Sequence, residues 1–200
     1  SGEFPTSQLN RLPASPYYLE AVVTALKKAG LLRTYYRDRL RGYRLGTKAK
    51  SALLGGWPER FTFCLTGDAE TNRLKSEANR RFRLHRLAET YITMGNAGVL
   101  LYPDEKPKVF AQTGFGGEAV TYPAFYSSRE VKELGADATQ IRSSRFAGVL
   151  LAPTGIFVTY NSGGALMKWR YKSELRVKTL LWNILCQQRL AQQYRVEQVH

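Results

Sequence analysis

The chain has 200 residues, enough for one large domain or two small ones. An apolar share of 44% against 23% charged residues excludes a disordered chain, and no apolar run reaches the roughly 18 residues of a membrane span. Thirty Lys and Arg against sixteen Asp and Glu give a net charge of +14, which points to a polyanionic partner, nucleic acid first.

An anionic membrane fits less well, because no basic amphipathic helix carries a Trp/Phe/Leu face. Cys64 and Cys186 lie far apart, which excludes a disulfide framework and fits a reducing cytoplasm. His85 and His200 offer no paired spacing with cysteine or each other, so neither a zinc site nor any other cofactor is expected. The charge is uneven. Residues 1–54 hold ten basic and three acidic side chains, so +7 falls in the first quarter of the chain.

Ser1-Gly2-Glu3-Phe4 is polar, shows no leader pattern and reads as a cloning remnant. Thr6 to Leu12 predicts a short helix. Pro13-Ala14-Ser15-Pro16 breaks it, and Ser15 can cap a second helix with Pro16 at its first position. Leu19, Val22, Val23 and Leu26 recur at helical spacing and predict a buried stripe. Gly30 predicts a left-handed stop, preceded by Lys27 and Lys28 at the negative helix end. Leu31–Tyr36 and Tyr43–Leu45 predict two strands, with Arg37-Asp38-Arg39-Leu40-Arg41-Gly42 as the tip between them. A further short helix is expected from Thr47 to Leu54.

This order, helix, turn, helix and basic hairpin, resembles a winged helix-turn-helix over residues 5–54. Leu26-Lys27-Lys28-Ala29-Gly30-Leu31-Leu32 is similar to that family's junction between recognition helix and wing. The expected DNA-facing residues are Tyr17, Tyr18, Thr24, Lys27 and Lys28 on the helix, with Arg33, Arg37, Arg39, Arg41 and Arg44 on the hairpin and Lys48 beyond it. Each tyrosine suits a core position equally well. Asp38 is expected to form the turn rather than a contact.

Gly55-Gly56-Trp57-Pro58 predicts a linker over 55–60, followed by a mixed α/β domain over 61–200. Phe61–Leu65 predicts a short strand or extended segment. A long helix is expected from Thr71 to about Gly95. Six basic residues against Glu77 within 73–86 give it +5, and Arg73, Arg80, Arg81 and Arg83 are expected to extend the phosphate-binding surface. The alternative is a solvated face. Val99–Tyr102 and Lys108–Phe110 predict strands. Ser127 or Ser128 is expected to cap a helix from Arg129 to Leu134. Arg145–Leu151 and Ile156–Tyr160 predict a hairpin, and a last helix is expected from Lys172 to Gln193. The overall fold class is thus α+β.

The pairing of a winged helix with this second domain resembles the replication-relaxation family of plasmids and conjugative elements. His85-Arg86-Leu87-Ala88-Glu89-Thr90-Tyr91 is similar to that family's helix opening. The resemblance implies a degenerate nuclease-like fold for residues 61–200 and a relaxosome accessory role at an origin. The implied partners are double-stranded DNA, a relaxase or replication protein, and a second copy as homodimer.

That family's nuclease-like domain carries carboxylates on its central hairpin. Here Arg145-Phe146-Ala147-Gly148 and Val158-Thr159-Tyr160-Asn161 supply none, and holding a hard cation for phosphodiester cleavage needs them. Pro103-Asp104-Glu105-Lys106 spells a nuclease signature but is compressed into a turn. Glu118 and Glu174 are isolated, and Thr113–Gly117 lacks the lysine of a phosphate loop. His85 shows no acid to orient it and is expected to pack, as is Cys64. The expected function is therefore non-catalytic, sequence-specific DNA binding in the cytoplasm. The alternative is a winged-helix transcriptional regulator with a sensor or dimerisation domain. An active nuclease is the third reading.

Overall fold

The computed structural model describes residues 2–66, 77–109, 121–132, 146–162, 171–187 and 196–197. The fold is α+β, with two small sheets. The chain divides into two compact units, residues 1–97 with 102–104, and residues 98–101 with 105–200. Among the described residues no helix is long and apolar enough to cross a membrane.

In the first unit, β1 (Phe4–Pro5) leads into a 3-10 helix (Thr6–Arg11) and then α1 (Pro16–Lys28). The start of α1 is as read from sequence. The Ser15 hydroxyl accepts from the Tyr18 amide at 3.3 Å, and Pro16 takes the first position, where its missing N–H costs nothing. Its end is set by Gly30 at φ +67, with Leu31 N–H bonded to the Leu26 carbonyl and Gly30 N–H to that of Lys27. This paired closure is a Schellman motif, and the positive φ is what asks for glycine. Leu19 is buried, and Val22, Val23 and Leu26 are half-buried along the same stripe.

The hairpin is longer and its tip tighter than expected. β2 (Leu32–Arg37) and β3 (Leu40–Leu45) pair antiparallel from Leu32↔Leu45 to Arg37↔Leu40, leaving only Asp38 and Arg39 in the turn. Gly42 is thus a strand residue opposite Tyr35. β1 joins the other side of β3, so the sheet runs β1-β3-β2. The first four residues, read as a remnant, include Glu3, which is buried, and Phe4, which pairs with Tyr43.

The linker expected at 55–60 is helical and lies inside the first unit. α2 (Thr47–Gly56) runs through both glycines, and α3 (Pro58–Leu65) begins at once. Pro58 opens α3 at its first position, which is a start signal rather than a break. Phe61–Leu65 is therefore helix, not strand. Arg60 donates to both Asp104 carboxylate oxygens, and Phe61 meets the Tyr102 ring edge-on at 6.0 Å. α4 (Ala78–Asn96) is the long basic helix, and the residues 67–76 expected to begin it lie outside the described set.

The second unit holds the four-stranded sheet β4-β5-β6-β7. β4 (Ala124–Ser127) lies where the sequence predicts no element. α5 (Ser128–Lys132) follows it. Ser127 caps this helix reciprocally with Glu130: each side chain accepts from the other's amide, at 3.4 and 2.7 Å. β5 (Phe146–Ala152) and β6 (Gly155–Tyr160) form the expected hairpin. α6 (Tyr171–Gln187) leads on toward β7 (Val196–Glu197), which runs parallel to β6. The continuation of α6 to Gln193 lies outside the described residues. No strand forms over Val99–Tyr102 or at Lys108 and Val109, and Phe110, expected to complete the second, lies outside the described residues. Only Leu100 bridges, parallel to Ala124, and a turn follows at Pro103, whose ring removes a ladder donor. The core lies between sheet and helix: Ala124, Tyr126, Phe146, Val149, Leu151 and Ile156 against Val177, Leu180, Leu181 and Leu185.

Candidate nucleic-acid interface

The outward face of α1 is set by its buried one. With Leu19, Val22, Val23 and Leu26 turned inward, the opposite stripe is Tyr17, Ala21, Thr24 and Lys28, at i, i+4, i+7 and i+11. All four are exposed, Tyr17 at 85%. Tyr18 (61% exposed) and Lys27 flank this stripe. Neither tyrosine packs into the core. The helix is only weakly basic, since Glu20 is exposed on it as well as the two lysines.

The hairpin carries most of the charge. Five arginines and one aspartate lie within residues 32–45. Arg33, Arg37, Arg39 and Arg41 are exposed. Arg41 stands opposite the exposed Tyr36 on one sheet face, while Arg33 and Arg37 share the other with Tyr35. Arg37 pairs with Asp38 at 3.6 Å, a solvent-exposed contact of small worth. Asp38 and Arg39 adopt φ 53 and φ 60, the left-handed pair of a type I′ turn. Asp38 thus forms the turn, as expected, and Arg39 sits at its apex. Lys48 and Arg83 are exposed and Arg80 is half-buried. Arg73 lies outside the described residues.

Two expected DNA contacts are instead internal. Arg81 is fully buried and Arg44 is 11% exposed at its side chain. Both close on the buried carboxylate of Glu3. Arg81 Nε lies 3.1 and 3.0 Å from the two Glu3 oxygens, and its Nη2 donates to Oε1 at 2.6 Å. Arg44 donates from Nε at 2.8 Å and Nη2 at 2.7 Å to Oε2. His85 Nε2 lies 2.8 Å from Oε1 and donates to it. His85 therefore has the acid that its helical neighbours did not reveal. Both guanidinium groups also stack on Tyr35, at 3.7 Å for Arg44 and 4.7 Å for Arg81.

This cluster follows from charge balance. A carboxylate removed from water costs several kcal/mol unless it is paired and hydrogen-bonded, and three cationic or polar donors meet that demand. Burial alone would raise the Glu3 pKa, but the hydrogen bonds from Arg81, His85 and Arg44 outweigh it and hold the carboxyl near 2, against a usual 4.5. Gly42 makes the room. A Cβ there would stand 2.4 Å from the Glu3 oxygen, so the strand must be bare at this point. Glycine inside a strand is the signature of such an approach, and Gly42, expected in the turn, stands in β3 against Glu3.

The second unit uses its polar groups structurally. Lys106 is buried, with its ammonium on the Phe125 carbonyl at 2.9 Å and on the Glu130 carboxylate. Asp104, from the same nuclease-like phrase, serves Arg60 in the first unit. Among the described residues no three His, Cys, Asp or Glu gather as a metal site would require. Cys64 is half-buried on α3 rather than fully packed. The Glu118 and Thr113–Gly117 positions lie outside the described residues.

Comparison with known proteins gives no matching family model, no matching curated protein and no matching solved structure.

Proposed function

We propose that the chain is a sequence-specific double-stranded DNA-binding protein without catalytic activity, and that its first unit acts as a winged helix-turn-helix. The observation that carries this reading is the division of labour between α1 and the hairpin. α1 offers a small, nearly neutral stripe of Tyr17, Ala21, Thr24 and Lys28, suited to base edges in a major groove. The hairpin beside it offers exposed arginines, suited to phosphates. The β1-β3-β2 strand order supports the comparison, because a winged helix folds its wing back beside a short first strand. A winged helix also needs a further helix behind the turn. α4 serves that purpose: Arg11 reaches Glu89 and Thr93, and Asn96 donates to the Arg11 carbonyl at 2.8 Å.

The biological setting rests on the resemblance of residues 85–91 to the replication-relaxation family. On that reading the chain is a cytoplasmic accessory factor at a plasmid or conjugative-element origin. Its second unit docks a relaxase, a replication protein or a second copy. The β5–β6 hairpin, α6 and a parallel β7 support the nuclease-like comparison. Neither strand of that hairpin carries a carboxylate, which favours holding over cutting.

Fluorescence-anisotropy titration on origin, own-promoter and scrambled duplexes, each at two salt concentrations, tests the proposal. Origin preference that survives higher salt supports the accessory role. Promoter preference replaces it with a transcriptional regulator. Equal binding that collapses with salt reduces the surface to phosphate contacts, and no binding overturns the DNA reading.

A further inference from the structure

We infer that Arg81 is a positioning residue for the hairpin tip: its buried guanidinium fixes the turn that presents Arg39, and so governs duplex binding without touching DNA. This rests on the duplex-binding reading above. Arg81 Nη1 donates to the Arg37 carbonyl, and Nη2 donates to that of Leu40 at 2.9 Å. Those two carbonyls bracket Asp38 and Arg39. The other edge of the same guanidinium is held by Glu3, which Arg44 and His85 hold in turn. One planar fork therefore ties the hairpin tip to β1 and α4.

The turn itself gives the second observation. Both of its residues sit at positive φ, 53 for Asp38 and 60 for Arg39, and neither is glycine. Glycine is the preferred second residue of such a turn, because a side chain there is crowded by the backbone. An arginine held at φ 60 carries a strain that glycine would not. It places a guanidinium at the apex of the exposed loop. Strain of this kind persists only where surrounding contacts over-determine the backbone, and Arg81 supplies those contacts. A lysine in its place would keep a charge facing Glu3. As a compact point donor it cannot span the carboxylate and both carbonyls together.

The test uses the full chain with Arg39→Ala, Arg81→Lys and the double variant, on the best-bound duplex. Arg39→Ala is expected to weaken binding about tenfold in the wild-type background. Arg81→Lys is expected to weaken it by a similar factor of about ten, although the residue is fully buried. In the Arg81→Lys background, Arg39→Ala should then cost less than about twofold, because the tip is already misplaced. Independent, multiplying losses overturn the inference, as does Arg81→Lys binding like wild type. Amide hydrogen exchange of the free protein gives a readout without DNA. Arg81→Lys should speed exchange about tenfold across residues 33–44 and leave α1 unchanged. Unchanged exchange in the hairpin overturns the inference. Should Arg81→Lys fail to fold, the isosteric Glu3→Gln carries the same test, with a loss of about threefold in binding and the same local exchange. If wild type binds no duplex, the DNA reading falls, and the exchange measurement alone decides whether Arg81 holds the tip.

Discussion

The two units fold around opposite kinds of centre. The second closes on an apolar layer, in which Val149, Leu151, Val177, Leu181 and Leu185 are essentially inaccessible to water. Among the described residues, the first buries few large apolar side chains, chiefly Leu19 and Ile92, and buries Glu3 and Arg81 fully. Apolar burial is non-directional and tolerates repacking. A buried ion cluster is directional, and it fails when any one partner is removed. The first unit therefore trades tolerance for a fixed geometry, and that geometry ends at the hairpin tip.

Removing a single member of the polar centre should give the largest effect. Arg81→Met leaves the buried Glu3 carboxylate to Arg44 and His85 alone and takes the donor from the Arg37 and Leu40 carbonyls, and the first unit is expected to lose about 3–5 kcal/mol. Hydrogen exchange read separately over residues 32–45 and 146–160 checks this. A loss confined to the first segment upholds the contrast, and a small loss there breaks it.

Leu181→Ala should do the reverse. A buried leucine truncated to alanine costs about 2–5 kcal/mol, and the loss should appear over residues 146–160. The same exchange experiment reads both variants, so the two centres are compared on one scale.

Acid should distinguish the units next. Glu3 has a folded pKa of about 2, below its ordinary 4.5. Its contribution is thus fully present above about pH 4.5 and drains away as pH falls through 2. The shift corresponds to about 3 kcal/mol. Acid titration followed by exchange or circular dichroism should unfold the first unit across that window in wild type. Glu3→Gln should flatten the dependence.

The smallest effect belongs to the α1 cap. Ser15→Ala removes the acceptor of the Tyr18 amide and should cost about 1 kcal/mol, measured by urea denaturation, with the polar centre intact. A loss as large as that of Arg81→Met would mean that α1, not the ion cluster, organises the first unit.

What the sequence revealed follows from the reach of each interaction. The Ser15-Pro16 start, the Gly30 stop and the β5–β6 hairpin depend on neighbours a few residues away, and each was legible. The α+β class follows from them. Phe61–Leu65 was misread because its aromatic and branched residues suit a strand, whereas Pro58 and the packing of Phe61 on Tyr102 make it a helix. β4 was missed because all four of its residues are buried, so it shows no alternation. Helical and hairpin phase suffice to predict that Thr24, Lys27, Lys28, Arg33, Arg37, Arg39 and Arg41 are exposed, whereas Tyr17 and Tyr18 suited core and surface equally and Ala21 gave no signal. Arg44 and Arg81 were misassigned because their partner, Glu3, lies 41 and 78 residues away. Basic side chains were counted as surface when one acid could claim two of them. Gly42 is the one local clue, but beside the basic tip it suits a turn as well as a strand.

The Glu3 cluster also has an evolutionary consequence. Its members come from three separated stretches: a Glu before β1, a Gly-x-Arg in β3, and an Arg-x-x-x-His on one face of α4. Loss of Glu3 strands the buried cation of Arg81, loss of either arginine leaves the Glu3 carboxylate short of a cation, and a side chain at position 42 would displace that carboxylate, so lineages should replace these positions together or not at all. Distant relatives should therefore keep this spaced five-residue signature after the surface of α1 and the hairpin has diverged to suit other targets.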